Sequence, residues 1–274
     1  MNEVLKDLST AALITAIKSN LYQFFRQFRH WDRADFYESP LLVRWQTPVL
    51  HPWFNAVHSL QPPPDNAGTI IQETQAYFRT RRVSGITWWF APHLHSAGWG
   101  HHLQRHGFIY DNNTPGMAMA LERLPESVPA PAELVIQRVA DADTLKVWTH
   151  VFRKGFEFPA DWESELQDMM ASVCLAPPVY NYLGILDGRP VATSSLFLGA
   201  GVAGIYNVAT LPAARSRGIG AALTLAPLHQ ARRMGYQAGI LQSSAAGFGV
   251  YQRLGFQKLC TMEHYYWHAG QPAG

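Results

Sequence analysis

A glycine-punctuated turn between a predicted strand and a predicted helix constrains the fold of this chain most strongly. The run Ile205–Thr210 has the composition of a strand, Pro212 begins a turn, and Arg215–Gly220 leads directly into a helix. A turn of this kind directs several unpaired backbone N–H groups toward one point. The helix dipole makes that point locally positive. The sequence therefore predicts a site for a phosphate or a pyrophosphate at this turn.

The spacing of the glycines within the turn distinguishes between the known classes of phosphate-binding loop. It reads R-x-x-G-x-G, late in the chain, and the chain contains no G-x-x-x-x-G-K-[ST] loop. A dinucleotide fingerprint would require G-x-G-x-x-G after a first strand. Gly218 and Gly220 carry no Cβ, so the backbone can approach a ligand closely at both positions. The alternative is a glycine-rich turn that holds no ligand.

A second motif follows the first in a fixed order. Ala246–Phe256 contains Y-x-x-x-G-F, and a strand-like segment, Gln237–Ser244, lies between the two motifs. Together they resemble the acyl-CoA loop, Q/R-x-x-G-x-G/A, and the closing helix-and-strand motif of the GNAT superfamily of N-acyltransferases. The resemblance extends from about Glu133 to the end of the chain.

The resemblance implies an α+β fold with a mixed, mostly antiparallel sheet, splayed central strands and flanking helices. The pattern of the second half agrees with that order. We predict strands at 134–139, 180–186, 191–198, 202–210, 237–242 and 256–268, and helices at about 142–152, 162–173, 219–234 and 245–254.

The first half contains a weaker copy of the same pattern. Ser96–Phe108 aligns without gaps on Ser244–Phe256, with six identities that could also have arisen by chance. Where the copy of the phosphate loop should lie, Gln61–Gly68 contains three prolines and Asp65, which remove N–H donors and add the wrong charge. We therefore predict two tandem GNAT-like domains: a degenerate domain at 1–124 without a cofactor site, a proline-rich linker at 125–132, and a catalytic domain at 133–274.

The resemblance also assigns the residues that would hold acetyl-CoA. The strand before the loop would splay at a bulge and pair with the pantetheine amides, and the loop would hold the pyrophosphate through its backbone. The implied cofactor-binding residues are Asn207, Val208, Thr210, Arg215, Ser216, Arg217, Gly218, Ile219, Gly220, Ala221 and Ser244. Ser244 departs from the family, which often has Asn at this position, so its contribution to affinity is open.

Tyr251 matches the general acid of the family and would protonate the leaving thiolate. Without the motif, a tyrosine on an amphipathic helix would simply be a core residue. The acceptor amine must also lose a proton, which for a lysine-like amine costs roughly 4–5 kcal/mol at pH 7. Glu157 and Asp161 are candidates for that base by position, in the turn between two helices. They could equally be solvated loop acids, with Asp161 as a helix cap, and Tyr206 and Asn207 could instead hold a water molecule.

Composition narrows the classes of partner. The net charge is +2, without a long basic run, so we expect no nucleic-acid partner. No apolar run reaches the length of a membrane span. Two distant cysteines, Cys174 and Cys260, indicate a reduced, cytoplasmic protein. A histidine-rich segment, His93–His106, has no acid among its histidines, so we expect no metal site.

The expected function is transfer of acetyl from acetyl-CoA to a primary amine of a small molecule or a peptide, by direct attack on the thioester. Two alternatives remain open. The chain could bind acyl-CoA as a sensor or scaffold without catalysis, or it could transfer a longer acyl group. The sequence does not indicate an oligomeric state.

Overall fold

The computed structural model describes residues 3–90 and 96–269 of the chain, and all that follows concerns these residues. The helices are α1 (Thr10–Phe25), α2 (Ala67–Thr80), α3 (Ser96–Arg105), α4 (Ala142–Gly155), α5 (Glu163–Cys174), α6 (Ile219–Arg233) and α7 (Ala245–Arg253). The strands are β1 (Asp35–Glu38), β2 (Leu42–Gln46), β3 (Ala56–Ser59), β4 (Gly85–Phe90), β5 (Ile109–Ala120), β6 (Leu134–Arg138), β7 (Val179–Leu186), β8 (Arg189–Gly199), β9 (Val202–Thr210), β10 (Ala238–Gln242) and β11 (Gln257–His268).

The chain divides into two compact units, and each is built from two separate segments. Unit 1 comprises the residues up to Gln27 together with Pro115–Cys260. Unit 2 comprises Phe28–Thr114 together with the residues from Thr261 onward. The two boundaries after the first helix fall inside β5 and β11, so each of these strands contributes residues to both units.

Unit 1 contains a mixed sheet in the strand order β5-β10-β9-β8-β7-β6. Neighbouring strands are antiparallel except for β9 and β10, which are parallel. The apolar face of α6 packs on the sheet, where Leu223 and Leu228 join a core that includes Leu196, Ile205 and Phe256. Burial of this face, rather than helix propensity, fixes the position of α6 and of the turn that precedes it.

Unit 2 contains the strand order β1-β2-β3-β4-β11 around an aromatic core. Trp88, Trp99, Phe108 and Trp267 are buried there. Its parallel pair, β3 and β4, is connected by α2, as β9 and β10 of unit 1 are connected by α6. The order β3-α2-β4-α3-β5 thus repeats as β9-α6-β10-α7-β11, so the predicted repetition of one α/β pattern in two halves is present.

The two units do not follow the boundaries expected from the sequence, which placed 1–124 and 133–274 in separate domains. The end of β5 pairs with β10 in unit 1, and the end of β11 pairs with β4 in unit 2. In addition, α1 packs in unit 1. The hydrophobic pattern of a sequence predicts where a strand lies but not which strand it pairs with. It therefore cannot predict that the last strand of each half pairs in the other unit.

The first helix begins at a capping residue. Apolar residues at helical spacing run from Leu13 to Phe28, and α1 begins after Ser9, whose hydroxyl accepts a hydrogen bond from the Ala12 amide. Upstream of this cap, the Leu5 amide donates to the Gly201 carbonyl at 3.0 Å. The capping hydroxyl decided the start of the helix where periodicity alone did not.

The histidine-rich segment lies partly outside the described residues, which do not include His93 and His95. His106 forms a hydrogen bond through its ring Nδ1 with the backbone carbonyl of His102, at 2.7 Å. Among the described residues, no three side chains of His, Cys, Asp or Glu gather as metal ligands would. Across residues 3–90 and 96–269, no helix is long and apolar enough to cross a membrane.

Candidate active site

Strand β9 changes direction at Asn207. Tyr206 lies opposite Ser195 and Ala209 lies opposite Thr193, so β9 has one more residue than β8 across this step. Asn207 adopts a left-handed conformation with φ of 54°. This is a β-bulge, which bends the strand and interrupts its ladder. The bulge implied by the family resemblance is therefore present.

Three buried polar side chains, which we call the bulge clamp, hold Asn207 in this conformation. They are Thr193, Ser195 and Asn181. The Thr193 hydroxyl donates to the Asn207 carbonyl at 2.9 Å, and the Asn207 amide nitrogen donates to the Ser195 hydroxyl at 3.0 Å. Ser195 in turn donates to the Asn181 side-chain carbonyl at 2.6 Å. The clamp ties both the backbone and the side chain of the bulge residue to neighbouring strands.

Beyond the bulge, β9 leaves its other neighbour. Ala203–Ile205 pair with Gly239–Leu241 of β10, and in the described chain this parallel ladder ends there. Strand β10 continues to pair with β5 as far as Gln242. The half-buried residues Val208 and Thr210 therefore lie on a strand edge that β10 does not cover. An extended ligand with amide groups can pair with such an edge as an added strand.

The turn after β9 leaves six consecutive amides without an acceptor in the described part of the chain. Ser216 and Gly218 have φ of 61° and 78°, and Gly218 is the N-cap of α6. The amides of Ala214 and Arg215 donate within the turn, and the first helical bond runs from Ala222 to Gly218. The amides without an acceptor are those of Ser216, Arg217, Gly218, Ile219, Gly220 and Ala221. With no acidic residue in its first turn, the start of α6 is a ready anion site.

The two glycines of the turn have different roles. A Cβ on Gly218 would collide with the carbonyl oxygen of Pro129, and the positive φ favours glycine in any case. A Cβ on Gly220 would meet only the Thr210 hydroxyl, at 3.7 Å. Gly218 is thus required by the fold, whereas Gly220 faces open space.

The side chain of Arg215 forms hydrogen bonds with strand β9 and with the end of α4. Its guanidinium donates to the carbonyls of Thr210 and Gly155, at 3.0 and 3.1 Å. It also approaches the Glu157 carboxylate at 3.4 Å. Arg215 therefore ties the turn to the end of α4, while its half-exposed side chain still lines the cavity described below.

A cavity of about 1290 Å³ joins the open strand edge, the open amides and α7. That volume exceeds the 300–1,000 Å³ of typical small-molecule pockets, as an elongated ligand requires. The predicted residues that line it are Val208, Thr210, Arg215, Ser216, Arg217, Gly218, Ile219, Gly220, Ala221, Ser244 and Tyr251. Asn207, Glu157 and Asp161 are not among its lining residues.

Tyr251 lies on α7, half-buried, at the wall of this cavity. Burial raises the pKa of its hydroxyl to about 12, while a hydrogen bond with Thr224 acts in the opposite direction. Thr224 itself donates to the Gly220 carbonyl at 2.9 Å. With a pKa this high, the hydroxyl keeps its proton at neutral pH.

The ring of Tyr251 packs closely against Gly247. A Cβ at position 247 would come within 2.8 Å of the ring, so a larger residue there would displace it.

Ser244 has a structural partner as well as a place at the cavity. Its hydroxyl accepts a hydrogen bond from the Gly247 amide at 3.2 Å and caps α7. Capping fixes the start of the helix that carries Tyr251.

The two acids proposed from their position lie in the turn between α4 and α5, outside the cavity. Glu157 is exposed and paired with Arg215, and Asp161 is exposed in a short 3₁₀ turn. Asp161 does not cap α5, whose N-cap is Trp162. The neighbouring Phe156 does line the cavity.

Sequence reasoning missed the linker and Arg253 as contributors to the cavity, and Thr224 as a neighbour of Tyr251. The linker residues Val128–Pro131 line it, although their prolines indicated only a connection between halves. Arg253 also lines it, at the end of α7. Thr224 could have been found, because it lies four residues after Gly220 and therefore on the same helix face.

The fold and the cleft define a two-unit α/β protein in which unit 1 carries a large ligand cavity at a strand–turn–helix junction. Residues 145–256, which contain β9, the turn and Tyr251, match the sequence model of the Acetyltransferase (GNAT) family. The match covers the segment whose motifs carry the resemblance to this family, and it confirms that resemblance. A search of curated protein sequences finds no match.

Solved structures support the same fold over nearly the whole chain. A GCN5-related N-acetyltransferase from Kribbella flavida superposes with a TM-score of 0.67 at 19% identity, covering 95% of this chain and 96% of its own. A GCN5-related N-acetyltransferase from Sphaerobacter thermophilus gives 0.59 at 14% identity, with 98% and 95% covered. A tandem GNAT protein from the clavulanic acid biosynthesis pathway gives 0.60 at 11% identity, with 98% of each chain covered. At these identities the likeness concerns the fold.

Proposed function

We propose that unit 1 transfers the acetyl group of acetyl-CoA to a primary amine by direct attack on the thioester. The observation that carries the proposal is the row of open amides from Ser216 to Ala221, which shares one cavity with an uncovered strand edge and Tyr251. Acetyl-CoA would supply the thioester carbonyl that the amine attacks and the thiolate that leaves.

The described residues fit the parts of that co-substrate. The start of α6 matches a diphosphate in charge and in hydrogen-bond capacity. The edge at Val208 and Thr210 matches the amides of pantetheine. Asn207, fixed by the bulge clamp, acts indirectly by keeping this edge apart from β10.

Tyr251 would donate a proton to the leaving thiolate. Because burial raises its pKa to about 12, the hydroxyl carries a proton at neutral pH and can donate it. We propose that Glu157 or Asp161, acting through water, accepts the proton that the amine releases. Both acids lie in the turn between α4 and α5, which also contains Phe156, a residue that lines the cavity.

The first test separates diphosphate binding from folding. In Gly220→Asp, a carboxylate would stand among the open amides and repel a diphosphate, yet an acid in the first turn of a helix stabilises that helix. We expect the melting temperature to be unchanged or higher and the calorimetric affinity for coenzyme A to fall by more than tenfold. Gly220→Ala is the matched control, because its Cβ has room. Equal affinity in the two variants would reject the diphosphate site.

The second test addresses catalysis and the acyl group. Thiol release from acetyl-CoA is followed across a panel of small amines and peptide N-termini, with longer acyl-CoA thioesters in parallel. Tight coenzyme A binding without turnover on any amine would instead indicate a sensor or scaffold. Preference for a longer acyl group would change the donor but keep the site.

We place this activity in the cytoplasm. Both cysteines of the described chain are free thiols, and Cys174 is buried. A reducing compartment suits such a protein.

A further inference from the structure

The proline-rich linker before β6 is anchored within unit 1 at both of its ends. At one end, the Glu126 carboxylate accepts a hydrogen bond at 2.9 Å from Arg232, in the last turn of α6. Val128 packs against the core of unit 1. At the other end, the Pro131 carbonyl accepts from the Leu134 amide at 3.1 Å. The linker therefore lies beside α6 and is held there by contacts within unit 1.

The middle of the linker lies over the start of α6. The Pro129 carbonyl oxygen occupies the space where a Cβ on Gly218 would be. Val128–Pro131 line the same cavity as the open amides, together with Arg217 and Arg253. Pro129 and Ala130 are exposed, so their outer surface is open to a ligand in that cavity.

The chemistry of the linker suits one end of acetyl-CoA and not the other parts. Pro129 and Pro131 have no N–H group, and backbone carbonyls repel phosphate oxygens, so this wall offers a diphosphate far fewer donors than the start of α6 does. It offers an apolar surface and carbonyl acceptors, which suit a flat base that carries an exocyclic amino group. Arg217 and Arg253 supply positive charge for phosphates nearby.

We propose that Val128–Pro131 forms the wall of the cofactor site that receives the adenosine end of acetyl-CoA. The linker thereby gives the site its preference for a donor that carries the nucleotide over a simple pantetheine thioester. This inference rests on the proposed function and adds a segment that neither motif of the chain contains.

The test compares donors with and without the nucleotide. The double variant P129G/A130G removes the two exposed side chains of the apolar wall and adds no atom near Gly218. We expect its KM for acetyl-CoA to rise on the order of tenfold, the loss of about one stacking contact. Its kcat/KM for S-acetylpantetheine should equal that of the wild type. Pro125→Gly is the matched control, because it loosens the same linker outside the cavity.

A second measurement does not depend on activity. Adenosine 3′,5′-bisphosphate should bind the wild-type protein by calorimetry, and binding to P129G/A130G should be weaker by a similar factor. The linker inference fails, and the proposed function stands, if the wild type uses acetyl-CoA and P129G/A130G has the KM and kcat of the wild type with both donors. If both donors lose activity equally, with the melting temperature unchanged, the linker inference also fails. A wild type that binds no coenzyme A overturns both.

Discussion

At the scale of single residues, the proposed reaction depends on one hydroxyl that keeps its proton, that of Tyr251. Tyr251 is held between Gly247, which leaves room for its ring, and Thr224, which hydrogen-bonds it. Burial disfavours the phenolate and raises the pKa to about 12. Between the ordinary tyrosine value of about 10 and this value, the folded protein binds more protons than the unfolded chain, so this group lowers stability as pH rises above 10. Below pH 10 its protonation is complete.

Replacement of Tyr251 by phenylalanine should remove the proton donor while keeping the ring. We expect kcat with acetyl-CoA to fall about 10²-fold, within the usual range for a general acid. A thioester of a more acidic thiol, such as an acetyl thiophenyl ester, should lose much less, because its thiolate leaves without a proton. Steady-state rates with both donors, from pH 7 to pH 10, test this.

Tyr236→Phe provides the comparison for that experiment. Tyr236 is another buried tyrosine of unit 1 whose pKa burial raises, and it does not line the cavity. Its replacement should leave both rates unchanged. An equal loss with both donors in Tyr251→Phe would assign the tyrosine to packing instead of proton transfer.

At the scale of elements, the open edge of β9 depends on the hydrogen bonds of the bulge clamp inside the sheet. The bulge clamp places Thr193, Ser195 and Asn181 in a buried position, where each polar group needs a partner. Ser195 has two, since it accepts from Asn207 and donates to Asn181. Removing it would leave the side-chain carbonyl of buried Asn181 and the side-chain N–H of half-buried Asn207 without this partner, at the point where β9 bends.

Ser195→Ala should therefore cost about 1–3 kcal/mol of unfolding free energy. The bulge should also relax, so the affinity for coenzyme A should fall. Ser194→Ala is the control: its hydroxyl is buried without a hydrogen-bond partner in the described structure, so removing it should be neutral or stabilising. Urea denaturation and calorimetry measure both effects. Equal stability of the two variants would show that the clamp does not hold the bulge.

The regular elements of unit 1 were largely predictable from the sequence, because local chemistry specifies them. Asp141, a typical capping residue, caps α4 by accepting a hydrogen bond from the Thr144 amide at 2.8 Å. Asp187 and Gly188 form the hairpin turn with φ of 50° and 73°. The contacts of the linker with Gly218 were not predictable, because they join residues distant in sequence through a carbonyl that has no side-chain signature.

At the scale of the whole molecule, sequence pattern missed the partners of the terminal segments. The pattern identified both halves and their order, but β5 completes unit 1 and β11 completes unit 2. Unit 1 also requires α1, where Asn20 accepts from the Tyr206 hydroxyl at 2.7 Å and Phe24 stacks on the Tyr206 ring. A domain defined by contiguous residues would lack both pieces.

This difference makes a direct prediction for fragments. Residues 133–274 alone lack β5, which pairs with the buried strand β10, and α1, which covers Tyr206. We expect this fragment to show no cooperative melting and no coenzyme A binding, because an uncovered β10 exposes an apolar edge. A chain that joins residues 1–27 to 115–260 through a long Gly/Ser linker should melt cooperatively and bind coenzyme A. Cooperative melting and binding by 133–274 would instead restore the contiguous domain division, with the exchanged strands as an accessory to it.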